Sequence, residues 1–259
     1  METSSYLYRA RRPLLKQEIL TVLSNDALTK SVYRMRFEGD LSSFTRPGQF
    51  CNLLVPGFYL RRPISVCDIE GDVLTLLYKV VGHGTEAMAD MTPGTKLDVL
   101  CGLGNGYDTS LSGKTPLLLG GGVGIPPLYG LAKALLAEGK EVRAVLGFNT
   151  AEEIFWADEF RACGVSVTVT TADGSAGVGG FVTDAMPGSY SYFYTCGPVP
   201  MLRAVYEKTV TSGQFSFEAR MGCGFGACMG CSMKTADGGY KRVCREGPIF
   251  YKEEIVWES

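Results

Sequence analysis

Along the first hundred residues, apolar and polar positions alternate in short runs and do not recur every three or four places. From Val32 to Phe37 the larger apolar residues alternate with Arg34 and Arg36, the period-two pattern of a half-buried strand. Two more runs rich in β-forming residues extend from Gln49 to Val55 and from Val73 to Val81, closed by Pro56-Gly57 and by Gly82. No amphipathic helix longer than about two turns stands out in this region. Short strands punctuated by Gly and Pro predict a small antiparallel β-barrel.

From Thr115 the pattern changes. Pro116 to Leu119 is wholly apolar, as expected of a strand buried on both faces of a parallel sheet. A Gly-rich turn follows, then helical spacing from Pro126 to Glu138, ended by Gly139. Further strands are predicted from Glu141 to Gly147, from Val165 to Thr170 and from Tyr190 to Cys196. Thr150 and Glu153 have the spacing of a capping box, predicting a helix that stops near Gly164. Another helix is predicted from Pro198 to about Thr211. Strands alternating with helices predict a doubly wound α/β domain. The last 40 residues, rich in Gly and Cys, show little periodicity.

Composition narrows the function classes. Hydrophobic residues are 46% and charged residues 20% of the 259, which is ordinary for a globular protein. The net charge of −2 gives no global attraction to nucleic acid or to an anionic membrane. Gly is in excess: the 33 glycines come in runs, which argues for tight turns and close backbone approach to ligands. Met1 to Arg12 has no apolar core for a signal peptide, and no later run is long enough to span a bilayer. The expectation is a cytoplasmic protein, in which nine Cys, an odd number, are not a disulfide framework.

Four of those Cys fall within 22 residues. Cys223, Cys228 and Cys231 follow a Cys-x4-Cys-x2-Cys spacing, and Cys244 follows after twelve intervening residues. This matches the plant-type [2Fe–2S] pattern of three thiolates on one loop and a distant fourth. Gly222, Gly224, Gly226 and Gly230 let such a loop wrap closely and free backbone N–H groups for the cluster sulfurs. A zinc site is the rival reading, although structural zinc loops usually pair their Cys in two knuckles.

Two other segments suit nucleotides. A flavin dinucleotide needs a hydroxyl or amide near its reactive edge, a cation for the pyrophosphate, and bare N–H groups for phosphate oxygens. Ser65, Arg62 or Lys79, and the Gly84-Thr85 turn can supply these, although each motif is also common as plain structure. His83, the only histidine, reads as a solvent-facing turn residue. Gly120 to Pro127 lies between a buried strand and a helix. There Gly121, Gly122 and Gly124 would admit a pyrophosphate to the helix N-terminus, and Pro126 costs no hydrogen bond in the first turn. It is not a GxGxxG fingerprint, and tight βα packing would explain it too. Cys196, Gly197 and Pro198 end another predicted strand, so both turns can face one crevice. Cys196 then lies near a nicotinamide or is a buried inert thiol.

In this order, the barrel, Arg-x-x-Ser, Gly-Gly-x-Gly-x-x-Pro, Cys-Gly-Pro and the four Cys resemble the ferredoxin–NADP reductase superfamily. More narrowly, they resemble the electron-transfer subunits of dihydroorotate dehydrogenase B. The resemblance covers the chain from about Gln17 to Ile249. It implies that Arg62, Pro63, Ile64 and Ser65, then Leu77, Tyr78 and Lys79, then Gly84 and Thr85 contact FAD, and that the four Cys hold iron. Ile64 stands where the wider superfamily usually has Tyr, removing an aromatic stacking partner. Lys79 stands where these subunits often have Arg, giving a point charge in place of a fork.

What the resemblance implies is an oxidoreductase subunit with FAD, [2Fe–2S] and NAD, serving pyrimidine biosynthesis, with no catalytic acid or base of its own. Its partner would be an FMN-containing dihydroorotate dehydrogenase catalytic subunit, in a heterotetramer of two copies of each chain. The alternative is a reductase subunit of another flavin–iron–sulfur complex, of the ferredoxin–NAD(P) reductase, sulfide dehydrogenase or hydrogenase type. Expected domains are 1–112 for the FAD-binding barrel, 113–213 for the NAD-binding α/β domain and 214–259 for the cluster. NAD is preferred over NADP because Phe148, Asn149 and Thr150 offer no cation to a 2′-phosphate.

Overall fold

The computed structural model describes residues 15–257, so the reading of Met1 to Arg12 lies outside the described residues. Strands β1 (Lys16–Ala27), β2 (Val32–Glu38), β3 (Phe50–Leu53), β4 (Arg62–Glu70), β5 (Val73–Lys79) and β6 (Lys96–Leu103) close into an antiparallel barrel. Its strand order is β1-β2-β5-β4-β3-β6. The alternation in the sequence is the barrel's inside and outside. Met35 and Phe37 are fully buried with Leu20, Leu53, Leu74 and Val99, while Arg34 and Arg36 stay partly exposed. Each such side chain contributes about 1.5–3 kcal/mol by leaving water.

β1 does not alternate in the sequence because it serves two partners. Its first half pairs with β6 and its second half with β2, with a bulge between Val22 and Ser24. Helix α1 (His83–Ala89) covers one end of the barrel and buries Met88 there. Its last carbonyls, which have no partner inside the helix, are met by Asn25. The Asn25 Nδ2 donates to the carbonyls of Met88, Ala89 and Met91 at 2.9, 3.1 and 3.1 Å.

The α/β region runs β7 (Pro116–Gly121), α2 (Pro126–Ala137), β8 (Arg143–Phe148), α3 (Ala157–Ala162), β9 (Ser166–Thr171), β10 (Val178–Gly179), β11 (Tyr192–Cys196), α4 (Val199–Lys208) and β12 (Gly213–Ser216). A two-stranded ribbon follows, β13 (Ser232–Lys234) with β14 (Tyr240–Arg242), and then β15 (Ile249–Tyr251). The sheet order is β10-β9-β8-β7-β11-β12-β15, parallel throughout except for β15, which runs antiparallel to β12.

One expected helix is shorter than its sequence signal. Thr150 makes no capping bond, and residues Ala151–Glu153 form a 3-10 turn. The Glu153 carboxylate instead accepts hydrogen bonds from the backbone N–H and side-chain amide of Asn149 at 3.4 and 2.8 Å. Helix α3 starts only after Trp156, whose backbone is left-handed with φ 62°.

The barrel and the α/β region are tied together. Helix α2 packs on β4 at Gly130, where a Cβ would stand 3.0 Å from the Cys67 carbonyl. Lys133 on α2 bridges Asp68 and Glu70 at 2.7 and 2.8 Å. The C-terminal segment lies across both: Asn105 Nδ2 donates to the carbonyls of Glu246 and Ile249 at 2.9 and 2.7 Å. No helix among the described residues is long and apolar enough to cross a membrane.

Candidate functional site

Strand β7 lies between β8 and β11, so chain crossovers leave it in both directions and open a crevice at its carboxyl end. There the chain makes a 3-10 turn, Gly122–Gly124, before the two prolines that begin α2. Gly122 is left-handed, with φ +52°. The turn after β11 presses against it: a Cβ on Gly124 would stand 2.4 Å from the Cys196 carbonyl oxygen. A Cβ on Gly121 would meet Met201 Sδ at 2.5 Å and Pro198 Cδ at 3.2 Å. Bare backbone is what both turns require, and bare backbone is what they offer to a ligand.

The crevice opens into a cleft of about 570 Å³ that also reaches the barrel. Ser65 and Lys79 line it from β4 and β5, opposite Gly121, Gly122, Gly124, Cys196, Gly197 and Pro198. Pro126 is buried behind the turn, in the first turn of α2. The Lys79 Nζ lies 4.0 Å from the Glu153 carboxylate, barrel cation to α/β acid. The Cys196 thiol is pushed up to about 12 by burial, against which a hydrogen bond with Ser216 pulls only weakly. It therefore stays protonated at neutral pH.

Several lining residues carried no motif. Ser216 ends the last parallel strand, Phe217 and Glu218 follow it, and Phe181, two-thirds exposed, comes from the loop after β10. Their one available signal was position, immediately after a strand of the sheet.

In the flavin segment, the Arg62 guanidinium lies directly on Gly84, where a Cβ would stand 2.1 Å from Nε. It is held there by the Phe58 ring, 4.9 Å from the centroid, and by the Leu60 carbonyl, which accepts from Nη1 at 2.5 Å. The Gly82-to-Thr85 segment is the first turn of α1. The Thr85 hydroxyl is spent inside that turn, accepting from the N–H of Val81 and of Gly82 at 2.9 and 3.2 Å and donating to the Gly82 carbonyl at 2.8 Å. His83 is exposed and pairs with Glu86 at 2.9 Å. Pro63 sits in the β4 pairing with β3, opposite Asn52, and Ile64 opposite Cys51. Leu77 and Tyr78 are buried, with the Tyr78 hydroxyl donating to Asn25 Oδ1 at 3.0 Å, so only backbone is left there for a ligand. Of these three residues, Lys79 alone shows its side chain to the cleft.

The four clustered Cys fall into two pairs. The Sγ atoms of Cys231 and Cys244 are 3.2 Å apart and buried, while Cys223 and Cys228 lie on the outer loop. Backbone N–H groups of Ala227 and Cys228 point at Cys223 Sγ from 3.2 and 3.5 Å. Burial would raise the Cys223 thiol, but the N–H groups of Cys228, Phe225 and Ala227 outweigh it and bring the thiol down to about 6. The Cys244 thiol is pushed up to about 12 by burial and by facing Cys231.

The loop wraps as its glycines allow, Gly224 and Gly226 having φ of +78° and +91°. A Cβ on Gly224 would meet Asn52 Nδ2 at 2.3 Å, and a Cβ on Gly226 would meet Arg245 Cδ at 2.4 Å. Among the described residues, no three His, Cys, Asp or Glu side chains stand close enough together to hold a metal ion as they are placed. Thiols paired two and two, with N–H groups aimed at sulfur, fit two irons better than one zinc.

Two family models match the chain. Residues 118–207 match an oxidoreductase NAD-binding domain, and residues 218–256 match the iron–sulfur cluster binding domain of dihydroorotate dehydrogenase B. The chain resembles an NADH-dependent reduced ferredoxin–NADP oxidoreductase, described in work on flavin-based electron bifurcation, with a TM-score of 0.84 and 30% identity. That match covers 92% of this chain and 90% of the other. A ferredoxin NADP+ reductase from Neisseria gonorrhoeae shares the fold at a TM-score of 0.63 and 19% identity, over 74% of this chain and 90% of the other.

The dihydroorotate dehydrogenase B (NAD(+)) electron transfer subunit of Fusobacterium nucleatum is 40% identical over 260 residues, covering 94% of this chain and 100% of that protein. The same subunit from Geobacillus sp. is 40% identical over 257 residues, at 94% and 100% coverage. With likeness of this degree running along nearly the whole of both chains, over a barrel, a nucleotide crevice and a paired-thiol loop, the protein belongs to the family of electron transfer subunits of dihydroorotate dehydrogenase B (NAD(+)).

Proposed function

We propose that this chain holds FAD on its barrel and a [2Fe–2S] cluster on Cys223, Cys228, Cys231 and Cys244, and binds NAD in the cleft. It passes electrons from a dihydroorotate-oxidising subunit to NAD+. The observation that carries this reading is the cleft itself. Ser65 of the flavin strand faces Cys196 and the Gly121–Gly124 turn across one continuous space, so a flavin edge and a nicotinamide meet there. FAD exchanges either a hydride or single electrons, and so links the two-electron chemistry of NAD to the one-electron chemistry of the cluster.

The chain's own residues supply position and field. Backbone N–H groups of the Gly122–Gly124 turn, just ahead of α2, receive the pyrophosphate of NAD, helped by the field of the helix N-terminus. Arg62, resting on Gly84, supplies the cation for the pyrophosphate of FAD. The Ser65 hydroxyl is offered to the reactive edge of the flavin ring. Walls from the barrel and the sheet exclude water, and the protonated Cys196 presents no nucleophile. No side chain is assigned as a catalytic acid or base.

The domains are proposed at 1–112, 113–213 and 214–259 for FAD, NAD and the cluster, with β12 running across the second boundary and β15 of the last segment returning to the NAD-domain sheet. The partner carries FMN and joins this chain in a cytoplasmic heterotetramer of two copies of each, serving pyrimidine biosynthesis. The test is orotate-dependent NADH oxidation by the native complex, purified without air through a tag on this chain. Activity, with a dihydroorotate dehydrogenase subunit co-eluting, is the expected result. NADH oxidation by an artificial acceptor or ferredoxin, or reduction of NAD(P)+ by sulfide, without activity on orotate would keep the cofactor chain and move the protein to another flavin–iron–sulfur complex.

A further inference from the structure

The cysteine-bearing segments are joined by one guanidinium. Arg242 ends β14, two residues before Cys244, and its Nη1 donates to the Gly226 carbonyl at 2.6 Å. Gly226 lies midway along the loop between Cys223 and Cys228. The rest of the fork is fixed by Glu246. Nε donates to Oε2 at 2.9 Å and Nη2 to Oε1 at 2.5 Å, and the Arg242 backbone N–H also donates to Oε2 at 2.9 Å.

The carboxylate is itself held in place. It follows a tight turn in which the N–H groups of Arg245, Glu246 and Gly247 all donate to the Arg242 carbonyl, at 3.0, 2.9 and 3.2 Å. The Asn105 side chain anchors that turn through the Glu246 carbonyl at 2.9 Å. Arg245 covers the other side of Gly226 and lies 3.9 Å from the same carboxylate. Two guanidinium groups and one carboxylate therefore leave one net positive charge against the loop.

An ordinary surface ion pair would need none of this. Exposed pairs hold two flexible side chains together for little gain. Here the Arg242 side chain is only 20% exposed, the fork is bidentate, and the remaining nitrogen, Nη1, donates to a carbonyl inside the cysteine loop. We propose that Arg242 is a positioning residue for the cluster. Its fork clamps the Cys223–Cys228 loop to the Cys244 turn, its charge favours the reduced cluster, and Glu246 opposes that charge to set the potential. Four thiolates make the site anionic and reduction adds an electron to it, so a fixed cation beside the loop favours reduction, and removing the balancing carboxylate strengthens that preference.

The proposal rests on the cluster assignment, whose failure would appear separately as a wild-type complex lacking iron and an EPR signal on reduction. The test is a redox titration of the cluster, followed by EPR, on the complex purified without air, with Arg242→Gln, Arg242→Lys and Glu246→Gln. Opposite shifts are expected, to more negative potential in Arg242→Gln and to more positive potential in Glu246→Gln. Arg242→Lys should lie between Arg242→Gln and wild type, because it keeps the charge without the fork. Oxidation of NADH by ferricyanide should be unchanged in all three. Shifts of the same sign in Arg242→Gln and Glu246→Gln, or no shift in either, would overturn the proposal. Should Arg242→Gln fail to retain a cluster, Glu246→Gln still decides it: an unshifted potential there overturns the electrostatic role.

Discussion

No side chain separates Gly124 from Cys196: a Cβ on the first would stand 2.4 Å from the carbonyl oxygen of the second. Gly124→Ala therefore has to push the β7 and β11 turns apart, an overpacking that costs about 1–3 kcal/mol. That strain falls on the nicotinamide end of the cleft and not on the barrel. The KM for NADH should rise by about one to two orders of magnitude, while flavin and iron content stay at wild-type levels. Steady-state kinetics with ferricyanide, alongside cofactor analysis, check both halves of the expectation.

Gly84→Ala should act in the opposite place. Gly84 has an ordinary backbone angle, and the nearest atoms the substitution meets belong to the Arg62 guanidinium, whose Nε would lie 2.1 Å from the new Cβ. A flexible side chain can move aside, so stability should change by no more than about 0.5 kcal/mol. On the FAD placement proposed above, the displaced cation would no longer face the pyrophosphate, and the protein should purify with reduced flavin content. Normal flavin content in Gly84→Ala together with flavin loss in Arg62→Ala would mean that Arg62 works from another position.

Asp98 gives a pH dependence of stability. Its carboxylate accepts from Arg61 Nη1 at 2.9 Å and from Gln17 Nε2 at 2.6 Å. The Arg61 hydrogen bond, against the opposing effect of burial, holds it below the usual carboxylate range. A depressed carboxylate contributes stability that is present above its unfolded value, about 3.9, and is lost as pH falls through its lower folded value. Asp98→Asn should cost about 1.5–3 kcal/mol at pH 7 and less as the pH approaches 3. Urea unfolding of both proteins at pH 7 and pH 3 measures the difference.

Cys196 should resist alkylation. With its thiol pushed up to about 12, almost none is thiolate at pH 8. Iodoacetamide treatment of the complex, followed by mass spectrometry, should modify Cys196 on the order of a thousandfold more slowly than an unstructured cysteine peptide. Modification at a peptide-like rate would show that the thiol is open to solvent and ionised.

What the sequence disclosed depended on how local each feature is. The four clustered Cys stood out because they sit within 22 residues, and the Gly120-to-Pro127 turn because strand, turn and helix follow in order. Met35 and Phe37 announced a barrel strand through alternation, whereas β1 hid because it pairs first with β6 and then with β2 around a bulge. The Thr150–Glu153 signal misled because Glu153 has a nearer partner in Asn149. Asn52, Phe181, Ser216 and Glu218 reach their sites only through pairing of distant strands, and short-range spacing holds no trace of that. Asn52 is the clearest case: its amide lies 3.4 Å from the Cys223 carbonyl, 171 residues along the chain.

The cluster region leaves the sheet after β12 and returns to it as β15, with Ser216 paired to Ile249. Both of its ends are therefore fastened side by side to the same rigid edge, and the loop between them is also pinned to the barrel. Such an excursion cannot swing between donor and acceptor as a tethered carrier does. A cluster held there would keep a constant distance from a flavin held on the barrel, and electron passage between them should be indifferent to the viscosity of the medium.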